Sequence, residues 1–375
     1  MSFCLTSRPK EALGLRWLDE LLELFRFHRQ PVPTQHSAWP SNEGGSQDVD
    51  DEHDSPERVT TTTQRPRPAV IEISSLQSAA GKTSLLYLAT AYALIPTFYG
   101  GKASAAVWID SDGRFSITRL SQIMQHLISK ADTTESPESV VRSALHNLYV
   151  LTPNSSTQLL ANLQALASSL LSIPSNLSLS LLVLDSATAF TAQDRFDADI
   201  TRLEAGPDFS SRPQSPMRST HFIAALRDIQ HIFNCTIIFS TNTPPQTVPT
   251  RGSPSAPAAQ PTSTRAYLNP NALPPPPANP PPLMAPAISP FTAFALFTLH
   301  ISRIPITQFP PGASLTECLS DREKRQAAVQ AGRFSIGLDW NGSDRWPSGV
   351  REAVERLEGR GRAEMRVTGV GVEMA

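Results

Sequence analysis

Residues 70–96 read VIEISSLQSAAGKTSLLYLATAYALIP, and within them the run Gly81-Lys82-Thr83 has residue types able to hold a phosphate. An apolar stretch before it and a longer one after it predict strand, loop and helix. The N-terminus of such a helix offers backbone N–H groups to an anion. A lysine there reaches the β- and γ-phosphates of a nucleotide, and the following hydroxyl ligates magnesium. Ala79, Ala80, Gly81, Lys82, Thr83 and Ser84 are therefore the candidate nucleotide-binding segment. One element departs from the full pattern: Leu76 stands where a first loop glycine would give the backbone its freedom. Ala79 and Ala80 are small enough to leave room. The plain alternative is a chance tripeptide opening an ordinary helix.

A second polar group should lie at the tip of another buried strand. In LSLLVLDS, Asp185 follows four apolar residues and is placed to hold magnesium through its water shell, with Thr83 as the other metal-side residue. Asp110 and Asp112 end a further strand in VWIDSDGRF, and Asn242 and Thr243 end another in IIFSTNT. Taken singly, each is an ordinary strand-end polar residue or helix cap. Together they fall at the carboxyl ends of parallel strands, where ligands of open α/β sheets gather.

The elements needed to bring these residues together are legible as alternating periods. Strands are expected at 70–73, 105–109, 148–151, 181–184, 236–240, 294–303 and 334–340, with helices at 83–94, 117–129, 157–171 and 221–233. This alternation predicts an α/β fold, a mostly parallel twisted sheet flanked by helices. Residues 1–29 carry an amphipathic helix able to dock on the main domain or a partner. Residues 30–68 are polar, acidic and proline-dotted and read as a disordered linker. The core spans 69–243, a Pro-rich low-complexity insertion 244–290, core-completing strands 291–340 and a tail 341–375, with a helix near 348–358.

Composition narrows the class. The 375 residues with 40% hydrophobic content suffice for one α/β domain plus extensions, while 34 prolines keep much of the remainder unpacked. A formal charge of −2 gives no global pull towards nucleic acid. Cys4, Cys235 and Cys318 lack C-x-x-C spacing, which fits a reducing compartment without disulfides or a zinc cluster. No apolar run approaches membrane-spanning length, and no secretory signal is legible.

The order of the motifs resembles the ATPase core of the RecA-like recombinase family, in its eukaryotic recombinase-paralogue branch. IDSDGRFSITRL is similar to the family's second-strand motif, STQLLANLQALASSLL…LSLLVLDSATAF to its helix and Walker B strand, and IIFSTN to the strand carrying its nucleotide-sensing Thr-Asn-Gln. Asp112, the LLYLATAYALIP helix and the lack of a separate DNA-binding N-terminal domain resemble a short paralogue type.

The resemblance implies a RecA-like P-loop core, ATP and Mg2+ as cofactors, and a nuclear role in double-strand break repair by homologous recombination. It implies other recombinase paralogues as partners, the main recombinase indirectly, and DNA weakly or through the complex. Asp112 takes the position of the glutamate that orients the attacking water. It is one methylene shorter, and a misplacement of about 1 Å costs on the order of a hundredfold in rate. Thr243 replaces the sensing glutamine. The expected activity is a weak DNA-dependent ATPase, slow if it turns over at all.

The loops that hold DNA in recombinases offer little clustered positive charge here. Arg195, Arg202, Arg212 and Arg218 at 191–219 are matched by Asp194, Asp197, Asp199, Glu204 and Asp208, and 244–290 carries Arg251 and Arg265 alone. The C-terminal arginines, Arg351 to Arg366, are interspersed with glutamates and read as a solvated tail. The rival reading is a nucleotide-free RecA-fold scaffold subunit of a multi-protein assembly. A small-molecule P-loop kinase fits poorly, because no Arg-rich lid follows the loop.

Overall fold

The structure, a computed structural model, describes residues 13–27, 68–76, 79–130, 136–172, 178–204, 215–242, 289–305, 312, 314–357 and 359–374. The linker at 30–67, most of the Pro-rich insertion and Thr243 lie outside the described residues.

The strands are β1 (Val70–Ser74), β2 (Ala105–Asp110), β3 (Leu148–Leu151), β4 (Leu179–Asp185), β5 (Thr236–Thr241), β6 (Phe297–Arg303), β7 (Arg333–Leu338), β8 (Arg362–Val367) and β9 (Val372–Met374). They form one nine-stranded sheet in the order β3-β2-β4-β5-β1-β6-β7-β8-β9. Pairing is parallel from β3 through β6 and antiparallel from β6 through β9. The mixed α/β sheet, mostly parallel and flanked by helices, is compatible with a RecA-like fold.

Period-two patterning decides which helices cover which face. In β4, Leu181 and Val183 enter one core while Leu182 and Leu184 enter the other, as expected for a strand buried on both sides. The first core is covered by α1 (Arg16–Phe27), α2 (Lys82–Leu94), α3 (Ile117–Ile128), α4 (Pro137–Leu145) and α11 (Val350–Arg356). The second is covered by α5 (Ser156–Leu171), α7 (Ser215–Phe233) and α8 (Pro290–Phe294). Helix α1 buries Leu18, Leu21, Leu22 and Phe25. Its Phe25 ring lies 4.9 Å from that of Phe297 and 5.2 Å from that of Trp346. Among the described residues, no helix is long and apolar enough to cross a membrane.

Three expectations need correction. The segment 341–375 is not a solvated tail, because it supplies α11, β8 and β9. Met365 and Val372 are buried while Arg362, Glu364 and Arg366 are exposed, the signature of strands with one face to water. Residues 191–204 are not loop but helix α6 (Thr191–Glu204), whose Phe196, Ile200 and Leu203 remain exposed and so give no core-facing signal. Finally, the sequence reading gives no helix at α4, α8, α9 (Leu315–Ser320) or α10 (Arg322–Gln330), and with α8 ending at Phe294 the strand expected at 294–303 begins only at Phe297. Helices α9 and α10 bury no residue, so they leave no apolar stripe to read.

Candidate nucleotide site

Strands β1, β4 and β5 are neighbours and parallel, so their carboxyl ends bring distant residues to one rim of the sheet. Lys82 opens α2, directly after the left-handed Gly81 at φ 90°. Its ammonium donates to Ser75 Oγ at 2.5 Å and to Asn242 Oδ1 at 2.6 Å. Thr83 Oγ1 donates to Asp185 Oδ2 at 3.0 Å. Ser240 Oγ donates to the other oxygen, Oδ1, at 2.7 Å and accepts from Ser186 N at 2.7 Å. Asn242 N donates to Thr188 Oγ1 at 3.1 Å, tying the end of β5 to the turn after β4. Lys82 and Asn242 are 160 positions apart in sequence and Thr83 and Asp185 are 102 apart, so only the fold brings them together.

At the described end of the loop, Ala79 and Gly81 both have left-handed backbone. Ala79 adopts φ 58°, a conformation that favours glycine. A Cβ on Gly81 would sit 2.9 Å from Met365 Cε and 3.1 Å from Phe334 Cδ1. Gly81 is therefore required by both its conformation and its seat on β7 and β8. Leu76 is two-thirds exposed at the start of the loop. Gly81 offers no side-chain cap to the first N–H groups of α2, which have no intrahelical acceptor.

Electrostatics oppose one another across the site. Burial lowers the Lys82 ammonium from its ordinary pKa, while Asp185 and Asp112 act to raise it. Burial raises the Asp185 carboxyl; the Ser240 and Thr83 hydroxyls pull it down, and Asp112 and Asp110 push it further up. Asp112 thus reaches the site through its charge, from an exposed position. Asp110, paired in register with Asp185, is buried; its Oδ2 accepts from Phe115 N at 2.8 Å.

Asp110 Oδ1, Ser111 Oγ and Ser186 Oγ are buried without a hydrogen-bond partner. Such orphaned groups at the tips of β2 and β4 suit a hydrated cation that supplies donors and acceptors. Among the described residues, no three His, Cys, Asp or Glu side chains converge to hold a metal by themselves. A magnesium ion held here would need further oxygen ligands, such as water or phosphate.

Of the residues expected from the sequence, Lys82, Thr83, Asp185 and Asn242 meet at this rim, Asp112 acts on it by charge, and Ala79, Ala80, Gly81 and Ser84 flank Lys82-Thr83 along the chain. Asp110 joins them from the strand end where the sequence places it, and Ser75, Ser240 and Thr188, given no role from the sequence, complete the rim. Ser240 and Thr188 carry no motif of their own, but each lies within three residues of an assigned one.

The chain is 36% identical over 115 residues to the mouse (Mus musculus) DNA repair protein XRCC2, a match covering 31% of this chain and 38% of that protein. The similarity supports a relationship to the RecA-like recombinase paralogues. It spans well under two thirds of the relative's length. No family model matches the chain.

Proposed function

We propose that this chain is a recombinase-paralogue subunit in DNA double-strand break repair by homologous recombination, binding ATP with Mg2+ through a degenerate P-loop. The observation that carries this reading is the convergence of Lys82, Thr83, Asp185 and Asn242 on one sheet rim. A relative in DNA repair adds to it. In this reading Lys82 and the α2 N-terminus bind the β- and γ-phosphates, with Ala79, Ala80, Gly81 and Ser84 shaping the cradle. Thr83 and, through water, Asp185 hold the magnesium. When bound, the magnesium nucleotide supplies a triphosphate whose terminal bond water can cleave.

Asp112 orients that water from a position one methylene short, which makes hydrolysis slow. The subunit pairs with other paralogues, supports the main recombinase indirectly, meets DNA mainly through the complex and resides in the nucleus.

One observation favours a second reading, a nucleotide-free scaffold: Leu76 in place of a loop glycine, with Lys82 already bonded to two side chains. Equilibrium binding of a fluorescent ATP analogue with Mg2+ separates the two. Wild type should bind at micromolar nucleotide, and Lys82→Ala should weaken this by tenfold or more, about 2 kcal/mol for a charge-assisted contact. Absence of binding by the folded wild type establishes the scaffold. Co-purification from cells should recover recombination proteins; repeated absence of them overturns the repair assignment.

A further inference from the structure

Glu72 sits at the middle of the central strand β1 with 1% of its surface exposed. Its neighbours on that face of the sheet include Val70, Ile237 and Phe239, all apolar. A carboxyl group in such a place is costly unless its oxygens are hydrogen-bonded. Both are: Thr241 Oγ1, from β5, donates to Oε1 at 2.8 Å, and Thr298 Oγ1, from β6, donates to Oε2 at 2.9 Å. One side chain thereby pins three adjacent strands.

The pinned residue on β5 is its last. Thr241 is followed by Asn242, which has left the ladder and accepts from Lys82. We propose that Glu72 is a positioning residue for Lys82, acting through Thr241 and Asn242; this rests on the phosphate-binding role given to Lys82 above. An apolar residue at position 72 would pack as well as its neighbours but would leave the direction of the β5 terminus to the ladder alone. The two hydroxyl bonds fix the slide and rotation of that terminus against β1. They thereby set where the Asn242 amide oxygen meets the ammonium.

The test uses the full chain and two readouts. One is the rate at which an amine-acylating reagent labels Lys82, followed by peptide mass spectrometry without nucleotide. The other is affinity for the ATP analogue with Mg2+. The variant combining Glu72→Val, Thr241→Val and Thr298→Val removes all three polar groups and leaves no orphan. It should melt near wild type, label several-fold faster at Lys82 and bind nucleotide about tenfold more weakly.

Thr241→Val alone should show the same labelling change, and Thr241→Ser, which restores the hydroxyl, should reverse it. This pair keeps the test intact if the triple variant fails to fold. Unchanged Lys82 labelling in folded Thr241→Val overturns the positioning role, even where wild type binds nucleotide normally. Faster labelling with no nucleotide binding by wild type upholds the clamp and overturns the nucleotide reading instead.

Discussion

Each oxygen of Asp185 accepts one hydroxyl, and burial still pushes its carboxyl above the ordinary range. A carboxyl whose folded pKa is raised binds its proton more tightly folded than unfolded. Its favourable contribution is full below the unfolded pKa and lost as pH rises through the folded value. Asp185→Asn, which never ionises, should therefore gain melting temperature relative to wild type as pH is raised from 4 to 7, measured by thermal unfolding. A gap that stays flat or closes over that range contradicts the assignment. Asp185 and Lys82 were legible in the sequence because strand-end acids and a Gly-Lys-Thr run have recognisable spacing. Glu72 was not singled out, although a lone charge inside VIEIS is itself a signal: a buried carboxyl must have partners. Its partners, Thr241 and Thr298, lie 169 and 226 positions away, and nothing local announces them.

At the scale of elements, the loop that leads into α2 is seated on strands from late in the chain. Phe334 and Met365 are cross-strand partners in β7 and β8, and both approach Gly81. Gly81→Ala adds a Cβ where the backbone is left-handed and the neighbours are within van der Waals distance. It should lower stability by about 2 kcal/mol, read from the denaturation midpoint; a loss under half that would mean the seat yields freely. The helices and parallel strands of the core were readable because each buries a stripe or a continuous apolar run. RAEMRV at 362–367 buries Met365 alone between charged neighbours, so its alternation was too sparse to separate from a polar tail. Register with β7, a tertiary property, is what makes it a strand.

At the scale of the whole molecule, the chain closes on itself from both directions. Helix α1, far upstream of the core, packs its Phe25 between Phe297 of β6 and Trp346, just before α11. Phe25 is fully buried. Phe25→Ala should cost about 3–5 kcal/mol by loss of transfer energy and cavity formation. Because α1 shares one core with α2 and β6, unfolding should remain a single transition; a separate early step would show α1 to be an independent appendage. The aromatic residues around these two regions have a consequence for observation by light. Trp108 is buried against Tyr87, with ring centroids 4.8 Å apart, and against Phe115, 5.1 Å away, two residues before the rim carboxylate Asp110. Trp340 and Trp346 pack together 5.2 Å apart beside Phe25. Of the five tryptophans, Trp108 thus answers to the rim of the sheet, while Trp340 and Trp346 answer to the closure of the N-terminal helix.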